Sequence, residues 1–334
     1  MDFFKDKIVT CCTNCIKKIL LNQNLVIMRT LISLIFLSVF TSSLFSQSTE
    51  LKYNLEKGKT YKVKSTSTQN QKMTVQGMER ITETKSISYV SLKMLDAKPD
   101  FFLAEVKFDT TKTTISMPPM ELNSAEEGDI KSEDVVEVMK CILNRLSKST
   151  IVAKMSYTGH VQDIMNHSIV EKTVLDGTDS LKGQAAMAKA QIEMMVKKDA
   201  LIGMIEGVTA YLPNEEVKQG GKWETSFVSK NGGVGMNIIS NYTLKDLSKK
   251  NAIIEGDVIV EPASSEPTVM NGAEITNELR GLGKSNMEID PGTGWIINSS
   301  SKIQLSGNMH VKAPGQDMSL PLESQITGET IAIE

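Results

Sequence analysis

The stretch Phe102-Leu-Ala-Glu-Val-Lys-Phe-Asp109 puts Phe102, Ala104, Val106 and Phe108 on one side, and Leu103, Glu105, Lys107 and Asp109 on the other. A period of two over eight residues is the signature of a strand with one face in a core and the other in water. The same alternation runs outward in both directions. Upstream, Tyr61 and Val63 alternate with Lys62 and Lys64. Between Ile87 and Met94 the apolar phase changes, from Ile87 and Tyr89 to Val90, Leu92 and Met94, which predicts a β-bulge near Tyr89. Strands this long, bent and antiparallel predict a strongly curved sheet. Downstream, Trp223, Thr225 and Phe227 alternate with Glu224, Ser226 and Val228, and Asn231-Gly232-Gly233 supplies a hairpin turn. Val258 and Val260 follow, then Ile303, Leu305, Gly307, Met309 and Val311, and finally Leu320, Leu322 and Ile326.

Helical spacing interrupts these strands. Ser132 can cap a first helix, with Glu133 and Asp134 in its opening turn and a stripe of Val135, Val138, Met139, Ile142 and Leu146. A second, rich in Ala and Met, reads from about Gln184 to about Glu206, its apolar residues including Met187, Ile192, Met195, Val196 and Ile202 against Lys189, Glu193, Lys197 and Lys198, and Pro213 stops it. The fold class is therefore α+β: a curved antiparallel β-sheet or sheets, a half-barrel or open barrel, with two helices inserted in the middle of the chain. The β parts are residues 47–120 and 213–334. The helical middle, 132–212, is broken by a hairpin near 150–165 and preceded by an acidic, polar loop over 121–131.

The N-terminal region reads as a targeting segment. Residues 28–46 (MRTLISLIFLSVFTSSLFS) have a short basic start at Met28-Arg29, an apolar run from Leu31 to Phe40 and small polar residues before Gln47. This is the secretory pattern, and its apolar run is too short for a stable membrane span. Cleavage after Ser46 makes Gln47 the mature start, Ser43 being a second candidate site; the alternative is an uncleaved anchor. No cysteine follows the apolar run, which argues against a lipid-modified N-terminus. Residues 1–27 read as an over-long gene start, with translation beginning at Met28. Cys11, Cys12 and Cys15 lie there, but a closed zinc site wants four ligands and no histidine is near.

The chain carries a net charge of −3. The leader removes Lys5, Lys7, Lys17, Lys18 and Arg29 against Asp2 and Asp6, so the processed chain is more acidic still. Interspersed charges of mildly acidic balance leave no footprint for nucleic acid or anionic lipid. Cys141 alone remains after processing, so packing rather than disulfides must stabilise an exported, periplasmic or secreted chain.

Two spacings recur. Leu55-x-x-Gly58-x-x-Tyr61 matches Val217-x-x-Gly220-x-x-Trp223, and Thr158-Gly159-His160-Val161-Gln162-Asp163 matches Thr293-Gly294-Trp295-Ile296-Ile297-Asn298. Common turn chemistry, a glycine turn before a strand, accounts for both without duplication, and is the reading taken here.

These residues also carry a resemblance. The leader ending Phe45-Ser46-Gln47, the opening Leu51 to Tyr61, the later Leu212-Pro213 to Trp223 and the paired Thr-Gly turns resemble an uncharacterised secreted family of the Bacteroidetes, over most of the processed chain. That family brings no assigned activity. The plan of a curved sheet with helices also resembles the half-barrels of envelope lipoprotein carriers, in architecture alone.

Catalytic motifs are missing from the sequence. His160, His167 and His310 have no metal-ligand spacing, and there is no nucleophile elbow, P-loop or dinucleotide fingerprint. Asn231 to Gly235 joins strands rather than opening a helix; Cys141 lies on a helical stripe as an inert thiol, and Glu215-Glu216 read as solvated turn residues. Neither a cofactor nor a metal is expected. The unusual feature is methionine, nineteen in all, including Met187, Met194, Met195 and Met204 on one helix and Met117-Pro118-Pro119-Met120 at a strand end. Flexible methionines suit varied apolar ligands, although such a stripe is more often core. The leading expectation is a non-enzymatic exported protein that binds a hydrophobic small molecule or lipid in a sheet–helix crevice. Its lining would be Met187, Met194, Met195 and Met204, with Phe102, Val106 and Phe108 from the sheet. The rival is an envelope module with a packed core and a protein partner; an unrecognised hydrolase is third.

Overall fold

The computed structural model describes residues 48–334 apart from Pro118, Gly232, Gly233 and Asn271. The leader, the early cysteines and the two central glycines of the Asn231 turn lie outside the described residues. Residues 49–334 form one compact unit.

Fourteen strands make one curved, unclosed sheet. They are β1 (Thr60–Val75), β2 (Met78–Ala97), β3 (Phe102–Ser116), β4 (Pro119–Asn123), β5 (Ile151–Met155), β6 (Val161–Ile164) and β7 (Lys222–Asn231). The second set is β8 (Val234–Leu247), β9 (Ala252–Pro262), β10 (Thr268–Met270), β11 (Ala273–Asn277), β12 (Arg280–Ile289), β13 (Ile296–Ala313) and β14 (Gln316–Ile333). The order across the sheet is β6-β5-β3-β2-β1-β14-β13-β12-β9-β8-β7, every pairing antiparallel. A bulge lies beside Tyr89, but in the neighbouring strand: Tyr89 pairs with Thr110 and Val90 with Phe108, so Asp109 of β3 is the extra residue. Strand β2 keeps its phase against β1, with Tyr89 opposite Lys64 and Val90 opposite Val63, so Ile87 and Tyr89 face away from the core instead of being turned back into it.

The helices differ from expectation in three ways. Helix α1 spans Val135–Lys148 and is capped by Asp134, whose side chain accepts from the Val136 N–H at 2.9 Å. Ser132 instead accepts from the Asp134 N–H and so positions the cap. A short helix, α2 (His167–Val174), was not foreseen. The long Ala- and Met-rich helix is two, α3 (Gly183–Met195) and α4 (Lys198–Thr209), because Lys197 is extended with ψ 148. His167 Nε2 reaches the Val196 carbonyl at 2.9 Å, satisfying an acceptor that the break sets free.

The repeated glycine turns extend into a repeated architecture, which corrects the reading as turn chemistry alone. Strands β6-β5-β3-β2-β1 and β13-β12-β9-β8-β7 follow the same order. The Gly58 N–H donates to the Met94 carbonyl at 2.9 Å, and the Gly220 N–H donates to the Leu244 carbonyl at 2.7 Å. Each of those strands then shifts register within two residues, Met94/Asp96 in one half and Leu244/Asp246 in the other. The next turns match as well, Lys98 N–H to Phe101 carbonyl and Ser248 N–H to Asn251 carbonyl. Turn chemistry predicts none of the matched bulges. The two β regions are copies of one five-strand plan, joined through β14.

Alternation places one face of this sheet against the helices. Val63, Leu92, Val106, Ile254 and Ile289 are buried there with Ile142, Leu201 and Ile205 from the helices. Tyr53 is the hub of the aromatic end, with ring centroids 6.1 Å from Phe102, 6.0 Å from Tyr211 and 6.2 Å from Trp295. Its hydroxyl donates to the Thr209 carbonyl, and that of Tyr211 donates to the Gly294 carbonyl, so neither buried phenol is left without a partner.

Candidate functional site

The outermost strands of the sheet's main path are β6 and β7, and α4 fills the gap between them. At its start, Lys198 pairs with Asp163 of β6 and the adjacent Asp199 pairs with Lys230 of β7. Further along, Glu206 Oε1 accepts from the Val161 N–H at 2.9 Å and lies 3.2 Å from His160 Nδ1. On the β7 side, Gly203 lets the helix backbone press on the strand: a Cβ there would stand 2.3 Å from the Val228 carbonyl oxygen. Thr225 Oγ1 donates to the Ala210 carbonyl just beyond the helix. A helix thus covers two edges that would otherwise offer unpaired backbone groups.

The expected crevice residues do not gather around a cavity at this interface. Phe102, Val106 and Phe108 are in the packed core, and Phe102 meets Tyr53 edge-on and Tyr157 at a tilt. Met194 and Met195 are half-buried on α3, while Ile192 and Val196 take the fully buried positions. Met204 is 41% exposed on α4. The Met187 side chain lies outside the described residues.

The open space lies elsewhere. Strand β13 has 18 residues, about 60 Å at ~3.3 Å per residue, whereas α4 has 12, about 18 Å at ~1.5 Å per residue. The helices pack on the β3–β7 side of the sheet, and on β13, β14 and β1 the same face continues beyond the core into partly exposed positions. On β13 its row passes through Ser299 and Ser301 to Ile303, Leu305 and Met309; on β14, through Thr330 to Ile326, the buried Ser324 and Leu322, and Leu320; on β1, through Ser65, Ser67, Gln69 and Gln71 to Met73, with Gln69 donating to Ser324 Oγ at 3.1 Å between the apolar residues. Ile303, Leu305, Ile326, Leu320 and Met73 are partly exposed. The hydroxyl band between core and apolar stretch is tied by Ser65 to Thr330 at 2.9 Å and, on the neighbouring pair, Ser86 to Thr113 at 3.0 Å.

On the opposite face, three adjoining shallow grooves of about 330, 490 and 440 Å³ follow β14. Thr66, Thr68, Asn286, Ser300 and Thr327 line the groove of about 490 Å³, with Lys284, Lys302 and Glu329 as its charged residues. A fourth, of about 300 Å³, lies beside the β7–β8 hairpin. None of the four is lined by the seven crevice residues.

Among the described residues the perturbed carboxylates are lowered. Asp96 is held down at about 2 by hydrogen bonds from Lys98 and Lys57. Lysine hydrogen bonds also lower Glu126, Asp163 and Asp179, and Asn251 lowers Glu288. A general acid needs the reverse shift. Burial raises Tyr53 and Tyr211, with each hydroxyl already spent on a carbonyl. Cys141 is buried, and among the described residues no three His, Cys, Asp or Glu side chains meet as metal ligands. No helix of the described residues is long and apolar enough to cross a membrane.

A family profile matches residues 100–296, from the β2–β3 turn to the first residue of β13. The chain belongs to DUF6263, a family of unknown function. The DUF6263 match takes in parts of both five-strand copies and all the helices. No curated protein matches the sequence. Among solved structures, lipovitellin, described for its lipid–protein interactions, is 10% identical with a TM-score of 0.40, over 84% of this chain. The chain spans 25% of that lipovitellin chain. Acinetobacter baumannii OccAB4 is 6% identical with a TM-score of 0.20, over 86% of this chain and 100% of the other. Salmonella typhi OmpF, solved with daunomycin, is 8% identical with a TM-score of 0.20, over 83% and 98%. Likenesses this distant say nothing of ligand or activity.

Proposed function

We propose that this is a non-enzymatic, exported binding protein that holds an apolar ligand in the open trough of its curved sheet, beyond the helices. The carrying observation is the partly exposed apolar row of Ile303, Leu305, Ile326, Leu320 and Met73, on the face that elsewhere forms the core. A face bounded by apolar side chains, with hydroxyls at its inner end, suits a molecule with an apolar body and a polar terminus. Export rests on the leader pattern of residues 28–46. The solid packing of Phe102, Val106 and Phe108 supports the trough as the site in place of the sheet–helix crevice.

Fluorescence titration of the delipidated protein with an environment-sensitive apolar dye tests this. Ile303→Lys and Leu305→Lys should each abolish dye uptake in folded protein, while Met195→Lys and Met204→Lys should leave it intact. The opposite pattern would return the ligand to the helices. The packed core also favours a second reading, a module for a protein partner. Absence of dye uptake and of co-purifying lipid, with a stoichiometric protein partner in cross-linking of whole cells, would establish that reading instead.

A further inference from the structure

At the end of the unit away from the aromatic hub, four hairpins stand side by side. The sheet order there is β4-β3-β2-β1-β14-β13-β11-β10. The pairs Ser116↔Pro119, Val75↔Met78, Ala313↔Gln316 and Met270↔Ala273 all close at this rim. At Gly77, Gly272 and Gly315 a Cβ would meet nothing of the described chain within 4 Å, so these turns project freely.

The rim is unusually apolar. Met78 and Ile81 at the β1–β2 turn are 60% and 65% exposed, Met117 at the β3–β4 turn 58%, and Val269 at the β10–β11 turn 65%. Hairpin turns are ordinarily polar because water must satisfy their backbone groups. The charges beside these turns balance along the rim, Lys72, Arg80, Lys112 and Lys312 against Glu79, Glu121, Glu274 and Asp317, with Lys72 paired to Glu79 at 2.6 Å and Lys112 to Glu121 at 2.8 Å. Eight strands spaced ~4.8 Å apart make a rim on the order of 30 Å wide. Its apolar side chains are set singly along that width. A folded protein partner would need a pocket for each, at matched positions. A fluid interface accepts them one by one, and a neutral rim matches a zwitterionic headgroup layer better than an anionic one.

We infer that this hairpin rim seats on a zwitterionic lipid surface. The inference rests on the trough reading, because Met73 and Leu320, at the outer end of the trough's apolar row, lie next to these turns. A seated rim would open the trough toward lipid.

The test is flotation of the chain starting at Gln47, which contains the whole compact unit, with phosphatidylcholine vesicles. A second vesicle set replaces part of the phosphatidylcholine with phosphatidylglycerol. The rim variant combines Met78→Asp, Ile81→Asp, Met117→Asp and Val269→Asp. The control combines Met165→Asp and Ile169→Asp, equally exposed but at the start of α2. Circular dichroism and melting establish that both are folded. Parent and control should float with phosphatidylcholine in high salt, and the rim variant should lose about 100-fold in partitioning. The inference falls if the parent does not float, if the rim variant floats like the parent, or if the control loses as much. Binding confined to the anionic vesicles and released by salt also overturns it. Dye uptake without vesicles separates the two proposals. Uptake with no flotation leaves the trough standing without the rim; flotation lost in the rim variant, with no dye uptake by the parent, leaves the rim without the trough.

Discussion

Two glycines one turn apart on α4 should respond to the same substitution with opposite signs. Gly203 is buried against β7, and an alanine Cβ there would lie 2.3 Å from the Val228 carbonyl oxygen and 3.3 Å from the Ser229 Cα. Relieving the first contact requires helix or strand to move by roughly 1 Å, and overpacking of this kind costs about 1–3 kcal/mol. The gain in helix propensity returns only about 1 kcal/mol. Movement would also stretch the Thr225–Ala210 hydrogen bond and the Asp199–Lys230 pair, so a net loss of about 1–2 kcal/mol is expected for Gly203→Ala. Gly207 is exposed, and an added Cβ would meet only the Phe227 ring at 3.7 Å, an ordinary contact. Gly207→Ala should therefore gain up to about 1 kcal/mol. Urea unfolding of both variants measures the difference, about 2–3 kcal/mol, and melting should separate them by several degrees, at about 2–4 °C per kcal/mol. Hydrogen exchange should localise the loss in Gly203→Ala to β7. Equal stability of the two variants would refute the claim that α4 seals the edge of the sheet.

The paired turns make a second test. Gly159 and Gly294 have φ of +95° and +71°, and a Cβ would stand 1.9 Å and 2.4 Å from the carbonyl oxygens of Thr209 and Lys52. Alanine at either should cost about 3 kcal/mol or more by denaturant unfolding, whereas at Gly58 and Gly220, with positive φ but open space, it should cost about 1 kcal/mol. A third concerns pH. Burial raises the phenols of Tyr53 and Tyr211, so the neutral forms are favoured in the fold. Their contribution is complete below the unfolded value of about 10 and is lost as pH rises through the folded values. Stability should decline above about pH 10, and Tyr53→Phe with Tyr211→Phe should flatten that decline; an unchanged alkaline slope would contradict the assignment.

The sequence shows strands wherever alternation lasts long enough to define a phase. The apolar phase change at Tyr89 signals a bulge there, but not that Asp109 of β3 would be the extra residue while Ile87 and Tyr89 stay on the outer face. The bulges at Met94/Asp96 and Leu244/Asp246 fall at strand ends, where too few residues remain to show a new phase. Helix α2 has eight residues, barely two turns of periodicity, and Ser132 and Asp134 are both good caps, so only geometry chooses between them. The break at Val196 has no Gly or Pro to mark it. Spacing picks out Ile192 and Val196 among the apolar residues of this segment, and they are the inward ones, whereas Met194 and Met195 are only half-buried. The apolar row of Ile303 and Leu305 was visible as a strand. That it would outrun its helices was not, because this depends on comparing the lengths of elements packed in three dimensions.

That mismatch in length is the main reason to look for a binding partner in the trough. A sheet segment with no covering layer would be expected to carry polar residues on both faces, since nothing repays the exposure of isoleucine and leucine to water. The face away from the helices is mostly polar near β14, with Thr66, Thr68, Ser300, Lys302 and Thr327, and carries Ile331 and Ile81 as single exposed apolar residues. The other face breaks that rule only past the hydroxyl band, at Ile303, Leu305 and Ile326, and the rim breaks it again at Met78, Ile81, Met117 and Val269. Folding alone does not account for the clustering of apolar residues in the trough and along the rim, because α4 already closes the edges and the aromatic hub already anchors the core. Something apolar that covers the trough and meets the rim does account for both departures together.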